Sequence, residues 1–465
     1  MDLIPKPDQI VAASANLAQK ILYGGVADLR PMPRTLIDDG TRGAARCEVY
    51  HYRPMGRTKE TGDPVLLVTP LAAPSICYDL RRGCSLVEHL VTEGRRTYVV
   101  EYGAVSFRDR NLGMEHWIEE VVPTAIREAS AHAGGRPVHV VGWSLGGVFA
   151  LLAAADDASL PIASITALGS PFDVREVPMV APLRPLLNLT DGRGAITRLY
   201  QAAGGAPQPL VRWAFQLSSF QKLVTKPLAM ARNLDDADYL AQIEAVDRFT
   251  ANMIAYPGRT FGQLYHRLLK GNALVDGTFD LEGRTISVGA ITAPVLVFGG
   301  ASDGIAPIPS VRAAVPLLTG SREVRFEIVP GGHLGMLTGR GARGTTWRVL
   351  DEWIEQWSQA EEPPAPAATP RRTTKKAPAK KAPKKAPAKK APVTKAASRK
   401  TAPTRATPTK ATPRKAIPTK AAPKPVAAKT APVRKRAPAK KAAAGALGTN
   451  PSRRYGSAGS RALGR

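Results

Sequence analysis

The chain has 465 residues, 44% of them hydrophobic, with 65 Lys and Arg against 38 Asp and Glu and a formal net charge of +27. Positions 371–465 hold 29 of those Lys and Arg and no Asp or Glu, which leaves 36 basic against 38 acidic residues before them; the excess charge belongs to the tail, and the body is excluded as a polycation. Cys47, Cys77 and Cys84 are odd in number and lack metal-ligand spacing, which excludes a disulfide framework and suits a reducing compartment.

The amino-terminal stretch "MDLIPKPDQIVAASANLAQKILYGG" has an acidic residue at position 2 and no continuous apolar core. It does not read as a secretory signal, and a short amphipathic helix is expected within an N-terminal segment over 1–46. From about 47 to 170, short β-rich runs alternate with longer helical patterns, as in a mostly parallel sheet flanked by helices. "CEVYHYRP" and "PVLLVTP" read as the first strands, "DLRRGCSLVEHLVTEG" as a helix, "RTYVVEYG" as a strand and "MEHWIEEVVPTAIREASAHAG" as a helix. "PVHVVGWS" is the next strand, "LGGVFALLAAADD" the next helix, and "IASITALGSPFD" a strand apolar enough to be buried on both faces.

Between about 174 and 290 the alternation stops, and the sequence turns helix-leaning with scattered Pro and Gly. Its stretch 209–231, "PLVRWAFQLSSFQKLVTKPLAMA", carries three charges among apolar residues, and the insertion reads as a helical cap over the sheet. The pattern resumes with "APVLVFGGASDGIAP", "SVRAAVPLL", "REVRFEIVPGGH" and "TWRVLDEWIEQW", which close a domain spanning 47–360. After it, prolines every few residues forbid a long helix, and large apolar side chains are too few to offset the entropy of ordering. A disordered tail rich in Lys, Ala and Pro is expected over 361–465. No run approaches the roughly 20 apolar residues of a membrane-spanning helix, and none is expected.

The residues "GWSLG" at 142–146 form a G-x-S-x-G pattern, weak by itself but here set between a strand and a helix. Ser144 then falls on the tight turn of a nucleophile elbow, where side chains at 142 and 146 would strike the neighbouring strand and helix. A hydroxyl is a poor nucleophile at neutral pH, so it needs a base, and the base needs an orienting acid. Of seven histidines, six fall within strands, helices or the cap; His333 follows the last strand in the loop "PGGHLG". For the acid, Asp303 follows a strand in "FGGASDGIAP" and completes the order Ser, Asp, His; Asp173 in "GSPFD" competes with it and otherwise reads as a turn or helix cap. An oxyanion would take the backbone N–H of Leu145 and a second one near Leu71 in "TPLAAPS". No metal or organic cofactor is required.

These residues resemble the α/β-hydrolase superfamily over about 47–357, and within it the polyhydroxyalkanoate synthases and their mycobacterial and actinobacterial lipase-like relatives. "VTPLAAPSICYDLRRGCSLVEHLVTEGRRTYVVEYG", "LYHRLLKGNALVDGTFDLEGRTISVGAITAPVLVFGGASDGIAP" and "GGHLG" carry the likeness. The resemblance implies an α/β-hydrolase fold with a lipid-like acyl substrate beneath the cap. One departure matters: the synthase elbow carries a cysteine whose thioester holds the growing chain, whereas the matching position here is Ser144. An oxyester is the less reactive acyl donor, so ester hydrolysis is the expected activity, with transfer from an acyl-CoA as the alternative. Cys77 and Cys84 lie off the elbow and do not replace the missing thiol.

The tail would bind polyanions by counterion release, without sequence preference, since Tyr455 is its sole aromatic residue. DNA leads, with anionic lipid surfaces and polyphosphate obeying the same electrostatics. A third reading is therefore a scaffold on a lipid or polymer granule tethered to DNA. The expected location is the cytoplasm, at granules or the nucleoid.

Overall fold

The computed structural model describes residues 7–40, 45–178, 204–218, 226, 228–281 and 283–359. The tail expected over 361–465 lies outside the described residues, as do 179–203 and 219–225 of the expected cap.

Eight strands make one sheet: β1 (Arg34–Asp38), β2 (Glu48–Tyr52), β3 (Thr61–Val68), β4 (Arg95–Glu101), β5 (Val138–Trp143), β6 (Ile162–Leu168), β7 (Val295–Gly300) and β8 (Val324–Val329). Their order across the sheet is β1-β2-β4-β3-β5-β6-β7-β8. β2 runs antiparallel to β1 and β4, and the remaining neighbours are parallel. Parallel neighbours need crossovers. After the N-terminal helix α1 (Pro7–Tyr23), these are supplied by α2 (Leu86–Thr92), α3 (Val122–His132) and α4 (Leu145–Asp156).

β5 and β7 are buried at every residue, which is why they read as unbroken apolar runs. Alternation still decides which layer each side chain joins. Leu66 and Val68 of β3 pack with Ile126 of α3 and Leu151 of α4 on one face. Val65 and Leu67 pack on the other with Leu90 of α2 and with Leu350, Trp353 and Ile354 of the closing helix Arg348–Trp357. Burying each such side chain contributes about 1.5–3 kcal/mol, so the closing helix is held by its apolar stripe.

Between β6 and β7 the described residues add no strand to the main sheet. They form the helices Gln208–Ser218 and Ala237–Ala251 and short two-stranded pairs. Among the described residues no helix is long and apolar enough to cross a membrane.

Two local readings change. The sheet starts upstream of residue 47, because β1 pairs with β2; a five-residue edge strand flanked by Pro33 and ending on a charge leaves too short a pattern to read. The helix expected over 79–94 begins only at Leu86. Gly83 sits at φ 75°, turning Asp79–Arg81 back onto Cys84–Ser85, and the Ser85 side chain then caps α2 by accepting from Glu88 N.

The C-terminal end of this unit is pinned to the N-terminal ends of the central strands. His139 of β5 contacts Ser164 Oγ through Nδ1 (2.8 Å) and Ser358 Oγ through Nε2 (3.0 Å). The fully buried Asp63 accepts from Gln359 N (2.8 Å) and from Arg136 Nε (2.7 Å), and Arg136 also donates to Gln359 O. Burial holds the His139 imidazole down at about 3, from an ordinary 6.5. The unfolded chain therefore takes up a proton below pH 6.5 that the folded chain refuses until about pH 3. His139 stability is complete above that window and is lost as pH falls through it. Denaturant titrations between pH 7.5 and pH 4.5 are expected to show a steeper loss of stability for the wild type than for His139→Gln, which hydrogen-bonds but does not titrate there.

Candidate active site

Ser144 stands between β5 and α4 with φ 55° and ψ −124°, a left-handed conformation that side chains rarely adopt. Its backbone N–H donates to Leu168 O (2.7 Å), fixing the turn to the end of β6. The glycines around it are required by space. A Cβ on Gly146 would stand 2.2 Å from Val68 O, and one on Gly142 would stand 2.5 Å from Gly147 Cα. Gly147, which the motif does not specify, is equally constrained, since a Cβ there would meet Ser170 Oγ at 2.1 Å. That hydroxyl donates to the Ser144 carbonyl (2.8 Å).

The structure brings three side chains from distant loops into one hydrogen-bonded row. His333 Nε2 lies 2.9 Å from Ser144 Oγ, and its Nδ1 lies 2.8 Å from Asp303 Oδ2. Asp303 Oδ1 accepts from Ile305 N (2.8 Å) and Ala306 N (2.9 Å), so both carboxylate oxygens are engaged. The Asp303 and His333 side chains are 0% and 5% exposed, whereas Ser144 is only half-buried. A carboxylate at Nδ1 favours the tautomer whose Nδ1–H donates to Asp303 and whose Nε2 accepts from the serine hydroxyl, an assignment inferred from the network.

Several supporting residues carry no motif. Trp143 Nε1 donates to His333 O (3.0 Å), and its ring lies 5.0 Å from the imidazole. The Tyr78 hydroxyl donates to Val68 O (2.7 Å) and accepts from Trp143 N (2.9 Å), riveting β3 to β5 directly beneath the serine. Burial pushes that phenol well up, so it stays neutral. Nothing local in the sequence marks these two residues, because each acts on a strand or loop remote in the chain.

The competing acid, Asp173, is turned elsewhere: its Oδ1 accepts from Arg175 N (2.9 Å) and Asn272 Nδ2 (3.0 Å), capping a short turn. Five other histidines serve local contacts. His51 meets Glu60, His89 Asp351, His116 Glu120, and His132 the Tyr98 hydroxyl, while His139 bridges two serines. Cys47, Cys77 and Cys84 are unpaired and buried, and burial raises all three thiols, Cys47 to about 12.

The N–H of Leu145 opens α4, where the first turn has no intrahelical acceptors. Leu71 is buried in the turn after β3, and the packing of Gly146 on Val68 and Thr69 brings that loop against the start of α4. The arrangement is a half-buried serine beside an imidazole, with the first turn of α4 at the same edge of the sheet.

The family described as alpha/beta hydrolase fold matches residues 63–340. The poly(3-hydroxyalkanoate) polymerase subunit PhaC of Allochromatium vinosum is 23% identical over 310 residues, covering 66% of this chain and 85% of its own. The corresponding subunit of Cupriavidus necator is 24% identical over 390 residues, covering 76% of this chain and 64% of its own. Among solved structures, a thermostable carboxyl esterase from Bacillus coagulans aligns with a TM-score of 0.44 at 15% identity, over 70% of this chain and 99% of that one. With the family matched across most of the described sheet, the chain belongs to the α/β-hydrolase family and is an enzyme of that superfamily, similar in sequence to polyhydroxyalkanoate synthases.

Proposed function

We propose that the protein is a serine hydrolase of acyl esters. The observation that carries this reading is the unbroken row Ser144–His333–Asp303 on a strained strand-to-helix turn. His333 Nε2 takes the proton as Ser144 Oγ bonds to the acyl carbon, and Asp303 stabilises the resulting imidazolium. The negative charge moves to the carbonyl oxygen, where the N–H of Leu145 and that of Leu71 receive it. Collapse of the intermediate breaks the bond to the leaving alcohol or thiol, which leaves with the proton from His333. Water then attacks the acyl-serine by the same route, releasing the acid and restoring the hydroxyl. An apolar acyl chain beneath the cap agrees with the composition of 209–231.

A fluorophosphonate probe is expected to label the wild type and to lose labelling in Ser144→Ala and His333→Ala. Asp303→Asn should slow both labelling and ester turnover by about 10⁴, as expected when the imidazole tautomer is no longer held. An unlabelled, well-folded wild type in detergent would sink this reading.

Acyl transfer is the second reading, supported by the sequence likeness to polymerase subunits. It keeps the acyl-serine and replaces water by an acceptor hydroxyl. Incubation with an acyl-CoA and a hydroxyacyl acceptor separates the two, since free acid as the sole product excludes transfer.

The basic residues of 371–465 are proposed to hold DNA or another polyanion, at the nucleoid or at a granule surface. Removing 361–465 is expected to abolish DNA binding at low salt while ester turnover stays unchanged; retained binding would move the contact to the catalytic domain.

A further inference from the structure

A second polar site lies outside the serine row. A cleft of about 450 Å3 opens where the loop after β4 meets residues 258–267, and its polar lining is Arg110, Asn111, Arg259, Gln263, His266 and Arg267. The nearby carboxylate, Glu115, is already committed. Its Oε1 lies 2.6 Å from an Arg259 nitrogen, an ion pair without hydrogen-bond alignment, and its Oε2 accepts from Gln263 Nε2 (2.8 Å).

Among the described residues the other two guanidinium groups have no such counter-charge. Arg110 lies 4.7 Å above the Phe107 ring and donates to the Phe107 carbonyl. Arg267 donates to the Asp280 carbonyl and lies 5.5 Å from the Phe279 ring. Neither is paired with a carboxylate among the described residues. Two planar cations steadied by rings and carbonyls, in a body of nearly balanced charge, keep N–H donors in the fork geometry that suits phosphate oxygens.

The cleft stands on the same edge of the sheet as Ser144. The loop carrying Arg110 follows β4, which runs parallel to β3 and, through β3, to β5. Ile254 N donates to Ala72 O (2.8 Å), on the loop after β3, and Arg259 N donates to Arg110 O (2.8 Å). The segment between them therefore bridges the loop holding Leu71 to the cleft. Its five residues from 254 to 258 reach at most about 18 Å, a span that one elongated leaving group can cross.

We propose that this cleft is a phosphate subsite, in which Arg110 and Arg267 bind the phosphate-bearing end of an acyl donor whose acyl group reacts at Ser144. The role as part of a substrate rests on the acyl-serine reading above; the binding of phosphate does not. Two sources share this chemistry, the nucleotide end of a coenzyme A thioester and the headgroup of a phospholipid.

The test uses the full chain at about 150 mM salt, where binding that rests on counterion release is weakened. Calorimetric titration with free coenzyme A and with glycerophosphate is expected to find a site in the wild type and in Ser144→Ala alike. Arg110→Gln and Arg267→Gln should each weaken it about tenfold, and the double variant should lose it. Titrations that do not differ between wild type and the double variant overturn the proposal, whatever the serine does. Turnover then assigns the source. The double variant should lose about 100-fold in kcat/KM on either the coenzyme A thioester or the phospholipid, and keep its rate on an N-acetylcysteamine thioester or monoacylglycerol of the same chain. Equal losses on charged and neutral donors would reduce the arginines to a structural role and also overturn it.

Discussion

The approach of α4 to β3, close enough that a methyl group on Gly146 would collide with the Val68 carbonyl, sets where everything else at this edge of the sheet stands. It forces the backbone at Ser144 into a left-handed turn, and that turn lifts the hydroxyl out of an otherwise buried strand. Such strain costs on the order of 1–3 kcal/mol, and it is offset by bonds that hold both sides of the turn: Ser144 N to Leu168 O, Ser170 Oγ to the Ser144 carbonyl, and Tyr78 between β3 and β5. The same close approach delivers the loop after β3 to the first N–H groups of α4. The positions of the Ser144 hydroxyl and of the first N–H groups of α4 are thus consequences of one steric fact.

His333 is placed by contacts on three sides. Asp303 fixes Nδ1, Ser144 meets Nε2, and Trp143, next to the serine in sequence, holds the histidine's own carbonyl. Gly169, at φ 57°, lies under the imidazole so closely that a Cβ would stand 3.2 Å from Nδ1. The imidazole therefore rests on main chain and faces the half-buried hydroxyl. In the proposed reaction, preorganisation of this kind would remove the cost of orienting the imidazole for proton transfer.

The sheet and the residues of the candidate site were legible because each depends on short-range pattern: apolar runs for the buried strands, glycines flanking Ser144, and loops after strands for Asp303 and His333. Choosing Asp303 over Asp173 required chain order alone, and Asp173 proves to cap a turn with Asn272. What was not legible comes from pairings across the chain. β1 has no meaning until β2 lies beside it, and Tyr78 and Trp143 become supports only once β3 and β5 are neighbours. Arg110 and Arg267, 157 positions apart in sequence, share a cleft only through the hydrogen bonds that seat 258–260 against 110–112. Pattern finds residues whose role is set by their own element; geometry is needed for those whose role is set by someone else's.

The clasp of Asp63, Arg136 and His139 around Ser358 and Gln359 has a mechanical side. The peptide that continues toward the basic tail leaves the domain from the N-terminal ends of β3 and β5, whereas Ser144, Asp303 and His333 follow the C-terminal ends of β5, β7 and β8. Tension drawn through the tail would enter the domain at a buried ion pair set in the central strands, ahead of the closing helix. The load would pass into β3 and β5, and the rim that carries Ser144, Asp303 and His333 lies at the far end of those strands from it.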